Sequence, residues 1–376
     1  MKKYSVRERV NGSMLDNLLF YRNIKTPQEK EDFLNPNYEK HIHDPFLLKD
    51  AKKAAERIIK AIEENESIVI YSDYDCDGIP AGVLFHDFFK KINFKNVINY
   101  IPHRHDEGFG LNVDAVNQLI KDKVNLLITL DCGISDIEAV KVAKDNGIDV
   151  IITDHHEPHE ELPQAFAIVD HKQKDCDYPE KILCGCGVGF KLIQAILKIK
   201  RFDVKEGYEK WFLDMVGMAT LSDMVPLVGE NRALAHFGLR VLKMSPRKGL
   251  MRLLNHLKIN QKYLTEDDIG FMITPRINAA SRMGVPMDAF RLLATDDDNE
   301  AHKYVLHLDE INNERKGKVA SIVKEVKKII SERYNNNPRN VIVAGNPQWR
   351  PSLLGLVANS CAEEFGIPAF LWGRDG

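Results

Sequence analysis

Asp73, Asp75 and Asp77 alternate through SDYDCDG, directly behind an apolar run. Period-two spacing would put all three on one side of a continuing strand, and a turn at Gly78 would gather them at its tip. Three carboxylates so close repel one another unless protons or cations neutralise them. An isolated Asp-x-Asp reads equally well as a solvated acidic turn. Recurrence tips the balance, because Asp131 closes the run NLLITLD and Asp154-His155-His156 follows DVIIT. Carboxylate oxygen together with imidazole nitrogen suits hard to borderline cations such as Mn²⁺ or Mg²⁺. A two-metal site needs several monodentate carboxylates and usually one that bridges. Asp131, on the middle strand, takes that place.

Four further segments carry phosphate-handling residue types. YIPHRHDEGFGLN (100–112) holds Arg104 and Glu107, readable also as an ion pair, before a Gly-Phe-Gly turn. CGCGVGFK (184–191) resembles a glycine-rich opening to a helix, and TPRINAASRMG (274–284) carries Arg276, Asn278 and Arg282. LSDMVPLVGENR (221–232) places Asp223 before a proline turn, where it could complete a metal shell. Arginine forks match phosphate geometry, and glycines let backbone amides approach anions. A zinc reading of Cys184 and Cys186 lacks a second ligand pair at suitable spacing.

The elements that must position these residues repeat one rhythm from about residue 67: a short β-branched run, a polar turn, a segment with helical periodicity. The runs are SIVIYSD (67–73), NVINYI (96–101), NLLITLD (125–131), DVIITD (149–154) and AFAIVD (165–170). The alternation predicts an α/β fold, a parallel sheet with helices on both faces, whose strand ends present the ligand-binding turns. Ser135 with Glu138 has the spacing of a capping box for the helix after the third run. Beyond residue 205 the periodicity is mainly helical, and a long polar helix is expected over 299–334, stopped by Asn335-Asn336-Asn337-Pro338. NVIVAGN (340–346) then restarts a strand pattern. The organisation expected is an N-terminal segment 1–47, a catalytic domain with helical extension 48–298, a connecting helix 299–335 and a partial second α/β domain 336–376. About 40 residues are too few for an independent core, so that second domain reads as incomplete.

With 376 residues and 44% hydrophobic content the chain can bury a large core and exceeds one ordinary domain. Lys and Arg number 52 against 55 Asp and Glu, which excludes a global basic field, so nucleic acid would have to meet a local patch. The start MKKYSVRERVNGS lacks an apolar stretch behind its basic residues, and no run is long enough to span a bilayer. The expectation is a soluble, cytoplasmic protein. Six cysteines in a chain of this length and pattern predict reduced thiols.

The ordered set DYDCDG, YIPHRHDEGFGLN, LDCGI, DHHEP, GVGFKL, SDMVPLVGENR and PRINAASRMG resembles the DHH phosphoesterase superfamily, and within it the RecJ single-strand-specific exonuclease branch. Coverage runs from about residue 35 through the long helix. The resemblance implies a monomeric nuclease of DNA repair and recombination that hydrolyses single-stranded DNA from its 5′ end with two divalent metals, Mn²⁺ preferred over Mg²⁺. A single-strand-binding protein or a helicase would be its partner. Carried over motif by motif, Asp75 and Asp131 would hold one metal, and Asp77, Asp131, His155 and Asp223 the other. His156 would sit toward the scissile phosphate, with Asp73 and Asp154 supporting the ligands, while Arg104, Arg276, Asn278 and Arg282 would grip the substrate's phosphates. Pro80, expected at the first position of a helix, and Ser281 depart from the family's usual small residues. Trp349-Arg350-Pro351-Ser352 lacks the family's histidine after the tryptophan. The alternatives are a phosphodiesterase acting on short oligoribonucleotides or small nucleotides, and an idle scaffold for replication partners.

Overall fold

The β-branched runs form a five-stranded, all-parallel sheet in the order β2-β1-β3-β4-β5, with β1 Ile68–Ser72, β2 Val97–Tyr100, β3 Leu126–Leu130, β4 Asp149–Thr153 and β5 Ala167–Val169. The computed structural model describes residues 5–10, 12–334, 338 and 340–374. Strands β1 and β3 are buried along their whole length because both sheet faces are covered. Ile68 and Ile70 of β1 point into one core and Val69 and Tyr71 into the other, following the period of two.

Three short helices, α1 Met14–Phe20, α2 Pro27–Leu34 and α3 Tyr38–His41, precede the sheet. On its larger core lie α4 Ala51–Glu63, α5 Gly78–Lys91, α8 Gly185–Ile199 and α9 Leu213–Ser222. The other face is covered by α6 Val113–Lys121 and α7 Ile137–Asp145. The helical extension comprises α10 Gly229–Leu242, α11 Lys248–His256, α12 Thr274–Met283 and α13 Pro286–Ala294. A wide π turn over Asp268–Ile273 leads into α12.

The long helix α14 spans Asp298–Tyr334, one residue earlier than expected, since the Asp297 carboxylate accepts the amides of Asn299 and Glu300, each at 2.8 Å. Asn335–Asn337 of the expected stop lie outside the described residues. Beyond it, β6 Ile342–Gly345, α15 Pro351–Phe365 and β7 Ala369–Trp372 form a second, two-stranded parallel unit. Its core does not stand alone: Ile322, Val326 and Ile330 of α14 pack with Ile342, Trp349, Leu353 and Val357. The long helix therefore belongs to both cores.

Two local expectations are corrected. Asp136, not Ser135, is the N-cap of α7, and no capping box forms, because the Asp136 carboxylate reaches across to the Leu111 amide at 2.6 Å. Pro80 is the third residue of α5, not its first, still within the turn whose amides have no partner inside the helix. Among the described residues no helix is long and apolar enough to cross a membrane. All six cysteines are buried free thiols.

Candidate metal centre

Register builds the site before any side chain is considered. Ser72 pairs with Leu130, Leu130 with Thr153 and Thr153 with Val169. The residues one step further, Asp73, Asp131, Asp154 and Asp170, therefore form a row across the carboxyl ends of β1, β3, β4 and β5. The ladder reaches that row, since the amides of Asp73, Asp131 and Asp154 donate to Leu130, Thr153 and Val169. Strands β2 and β3 flank β1 on opposite sides, so Asp73 and Asp131 sit where the winding reverses, the usual place for a ligand crevice.

The loop after β1 brings in two more carboxylates. It reverses so tightly that a Cβ on Gly78 would lie 2.4 Å from the Asp73 carbonyl oxygen, which admits only glycine. Asp75 accepts the amides of Asp77 at 2.7 Å and Gly78 at 3.2 Å. Asn278 of α12 accepts the Cys76 amide at 2.8 Å and holds the loop from outside. Asp77 accepts the first amides of α8, Gly185 at 2.6 Å and Cys186 at 2.8 Å. The glycine-rich segment thus spends its helix start on a carboxylate, not on a phosphate. Asp223 follows the last residue of α9 and enters from the helical extension.

His155 Nδ1 lies 3.0 Å from the Leu183 carbonyl, which can only accept, so Nδ1 carries the proton and Nε2 is bare. That bare Nε2 faces Asp131 Oδ1 at 3.1 Å and Asp77 Oδ2 at 3.7 Å. Lone pairs facing each other at such distances need a cation or a proton between them. Asp131 Oδ1 and Asp73 Oδ1 are also buried without a hydrogen-bond partner. Three triads have ligand atoms mutually within 4.8 Å: Asp73, Asp75 and Asp131; Asp77, His155 and Asp223; Asp131, His155 and His156. The donor set fits two hard or borderline cations sharing Asp131. Asp73, expected in a supporting role, lies within ligand distance of Asp75 and Asp131. Asp154 accepts the Ile134 amide at 3.0 Å and pairs with His156 Nδ1 at 2.7 Å.

The residues expected to grip substrate divide. Arg104 and Arg282 line the cavity over the cluster, which has a volume of about 230 Å³, and Asn278 lines it too. Arg104 lies over the Tyr74 ring, 4.7 Å from its centroid, and forms no ion pair with Glu107, whose carboxylate takes Tyr100 Oη and the His103 amide. Arg276 does not reach the cavity. Its guanidinium is committed to Asp309 of α14 at 2.7 and 2.8 Å and to the Met272 carbonyl, so it is a strut between helices. Ser281 also lines the cavity, with its hydroxyl folded back to the Asn278 carbonyl at 3.2 Å. Ser352, from the second unit, accepts Arg282 Nη1 on its carbonyl and donates its hydroxyl to the Arg282 carbonyl. Sequence reasoning missed Phe109, exposed at the rim and held edge-to-face by Tyr74 and His156. An aromatic exposed between two glycines was its one signal.

A model of the DHH family, N-terminal domain, matches residues 67–220. The chain is 36% identical over 362 residues to the single-stranded-DNA-specific exonuclease RecJ of Bacillus subtilis, covering 96% of this chain and 44% of that protein. It is 31% identical over 375 residues to that of Haemophilus influenzae, covering 97% and 64%. Among solved structures, exonuclease RecJ bound to manganese superposes with a TM-score of 0.77 at 30% identity, over 87% of this chain and 80% of that one. The chain belongs to the RecJ family. It spans 44% and 64% of the length of the two curated relatives named.

The electrostatics of this RecJ-family cluster follow from its crowding. Burial, then the charge of Asp75, pushes Asp73 up to about 8. Burial and neighbouring carboxylates drive Asp77 and Asp131 well above the usual carboxylate range, and burial raises Asp223 to about 6. Burial, then the His156 charge, lowers His155 to about 4 and leaves it neutral. The bond to Asp154 lifts His156 to about 8, and although burial works upward on Asp154, His156 and the Ile134 amide hold it low. A carboxylate raised on folding contributes stability that is lost as pH rises through its folded value. His156, also raised, acts in the same sense, whereas His155 loses stability only as pH falls below about 6.5. Between pH 6.5 and 8.5 the metal-free protein is therefore expected to lose thermal stability as pH rises, with Mn²⁺ giving its largest increase in Tm at the alkaline end. A Tm independent of pH over that window would contradict the crowding.

Proposed function

We propose that this chain is the catalytic core of a metal-dependent exonuclease that hydrolyses phosphodiester bonds of single-stranded DNA from the 5′ end. The observation that carries the reading is the set of carboxylate and histidine triads gathered around Asp131 and His155, with Arg104 and Arg282 lining the same cavity. Asp73, Asp75 and Asp131 would hold one cation and Asp77, His155 and Asp223, with Asp131, the other, Mn²⁺ in preference to Mg²⁺. When bound, the cations lower the pKa of water and neutralise charge building on the scissile phosphate. The protein's part is positioning and electrostatics. Arg104 and Arg282 draw the phosphate to the cluster, and their mutual repulsion, after burial, lowers Arg282 to about 10, so an anion between them is favoured. His156, fixed by Asp154, faces the same cavity and carries a proton near neutral pH. Phe109, exposed at the rim, offers a ring of the kind on which single-stranded bases stack. No side-chain nucleophile is needed.

A cytoplasmic monomer receiving its strand from a single-strand-binding protein or a helicase completes the proposal. Incubation with Mn²⁺ and end-labelled single strands of DNA and RNA tests it. Mononucleotides released from the 5′ end of DNA are expected. Activity confined to dinucleotides or short RNA would replace the substrate, and bound Mn²⁺ without hydrolysis of any strand would leave the scaffold.

A further inference from the structure

One buried histidine outside the cluster has no part in the chemistry above. His171 follows Asp170, the fourth aspartate of the row, and is fully buried. Its Nε2 accepts the Leu183 amide at 3.0 Å, so Nε2 is bare and the ring is neutral with its proton on Nδ1. Burial, which lowers its pKa to about 3, agrees. The same peptide unit is held from its other end, where Asn231 Nδ2 donates to the Ile182 carbonyl at 2.7 Å. Asn231 is likewise fully buried, and it comes from α10, far from the sheet in sequence.

The peptide fixed by these two side chains starts the turn that leads into α8. The next carbonyl, Leu183 O, takes the His155 Nδ1 proton, and the amides two and three residues beyond Leu183 N, those of Gly185 and Cys186, hold Asp77. One short turn therefore sets the tautomer and direction of one ligand and the direction of another. We propose that His171 and Asn231 are positioning residues for the metal centre, acting through the 182–186 turn to aim His155 Nε2 and the Asp77 carboxylate at one cation. Outer partners that orient ligating histidines contribute to metal affinity in this way. The inference rests on the metal reading of the cluster, and its test separates the two.

The variants are His171→Phe, which keeps a ring and removes the acceptor, and His171→Gln, whose amide oxygen falls near the position of Nε2. Asn231→Ala breaks the other end of the peptide. Two readouts on the whole chain are used: ¹⁵N shifts of His155 in metal-free protein, and calorimetric titration with Mn²⁺ alone. Wild type is expected to show His155 as a single Nδ1–H tautomer, His171→Phe a mixture of both. Mn²⁺ affinity should fall about 10- to 100-fold in His171→Phe, fall in the same sense in Asn231→Ala, and return largely in His171→Gln. A residue that only fills space would lower Tm in all three without splitting Gln from Phe. A mixed tautomer in wild type, unchanged affinity in a folded His171→Phe or Asn231→Ala protein, or a glutamine no better than phenylalanine would each overturn the proposal. Wild type that fixes the tautomer and binds no Mn²⁺ would uphold the positioning and overturn the metal reading instead.

Discussion

Asp131→Asn is expected to abolish hydrolysis, by about a thousandfold or more, while leaving the metal-free protein at least as stable as the wild type. The first half follows from the proposed sharing: Asp131 groups with Asp73 and Asp75 on one side and lies 3.1 Å from His155 Nε2 on the other, so its loss would remove a ligand from each cation. Several kcal/mol of transition-state stabilisation depend on such a clamp, and each 1.36 kcal/mol is about a factor of ten. The second half follows from repulsion. Asp131 is buried among Asp77, Asp75 and Asp73, all of which oppose its ionisation, so a neutral amide relieves the metal-free state. Asparagine is the right probe because Asp131 has a left-handed backbone, φ +62°, which asparagine tolerates well. Alanine would silence the enzyme too, but with backbone strain of about 1–3 kcal/mol mixed in. Turnover on labelled single strands and Tm by calorimetry check both halves. Near-wild-type turnover would remove Asp131 from the bridging position.

Gly185→Ala is expected to cost about a hundredfold in activity with every ligand still present. A Cβ there would stand 2.5 Å from Asp131 Oδ1 and 2.6 Å from its Cβ, inside the first turn of α8. Either Asp131 or the helix start must shift, and the helix start also holds Asp77. A displacement of about 1 Å at reacting groups can cost 10²-fold. Gly187→Ala, two residues further on, is the matched control: its Cβ would meet nothing closer than 3.6 Å, an ordinary contact. It should keep activity and gain a few tenths to about 1 kcal/mol of helix stability. Equal activity in the two variants would mean that the close approach of α8 to β3 does not position the bridge.

Both experiments probe features of different legibility. That Asp73, Asp131 and Asp154 sit at strand ends was readable, because a parallel strand buried on both faces announces itself as a β-branched run and each run closes on an aspartate. A supporting role for Asp154 was an expectation from the family resemblance; the bond it makes to His156 is seen only in the structure. That an Asp73 oxygen is buried without a hydrogen-bond partner and groups with Asp75 and Asp131 was not readable, because it depends on the tight reversal at Gly78. The glycine-rich segment was read as an anion cradle, and it is one, but its anion is Asp77.

Arg276 and Arg282 mark the limit most plainly. They share one segment and one residue type, so nothing local separates them. Six residues apart on a helix with about 100° per residue, they point to different sides. One side of α12 meets Asp309 of α14, and the other meets Arg104 and the cavity. The same holds for Asp223, whose approach to Asp77 and His155 depends on how α9 packs against the sheet, and for His171 and Asn231, which meet only through a turn distant from both. The sequence by itself determined the parallel sheet, the aspartates behind its strands and the class of cation they suit, because these follow from periodicity and donor chemistry along a few residues. The partners of each arginine and the fixing of His155 and Asp77 by the start of α8 were decided by tertiary structure alone, because they depend on which helix faces and loops long-range packing brings to the sheet edge.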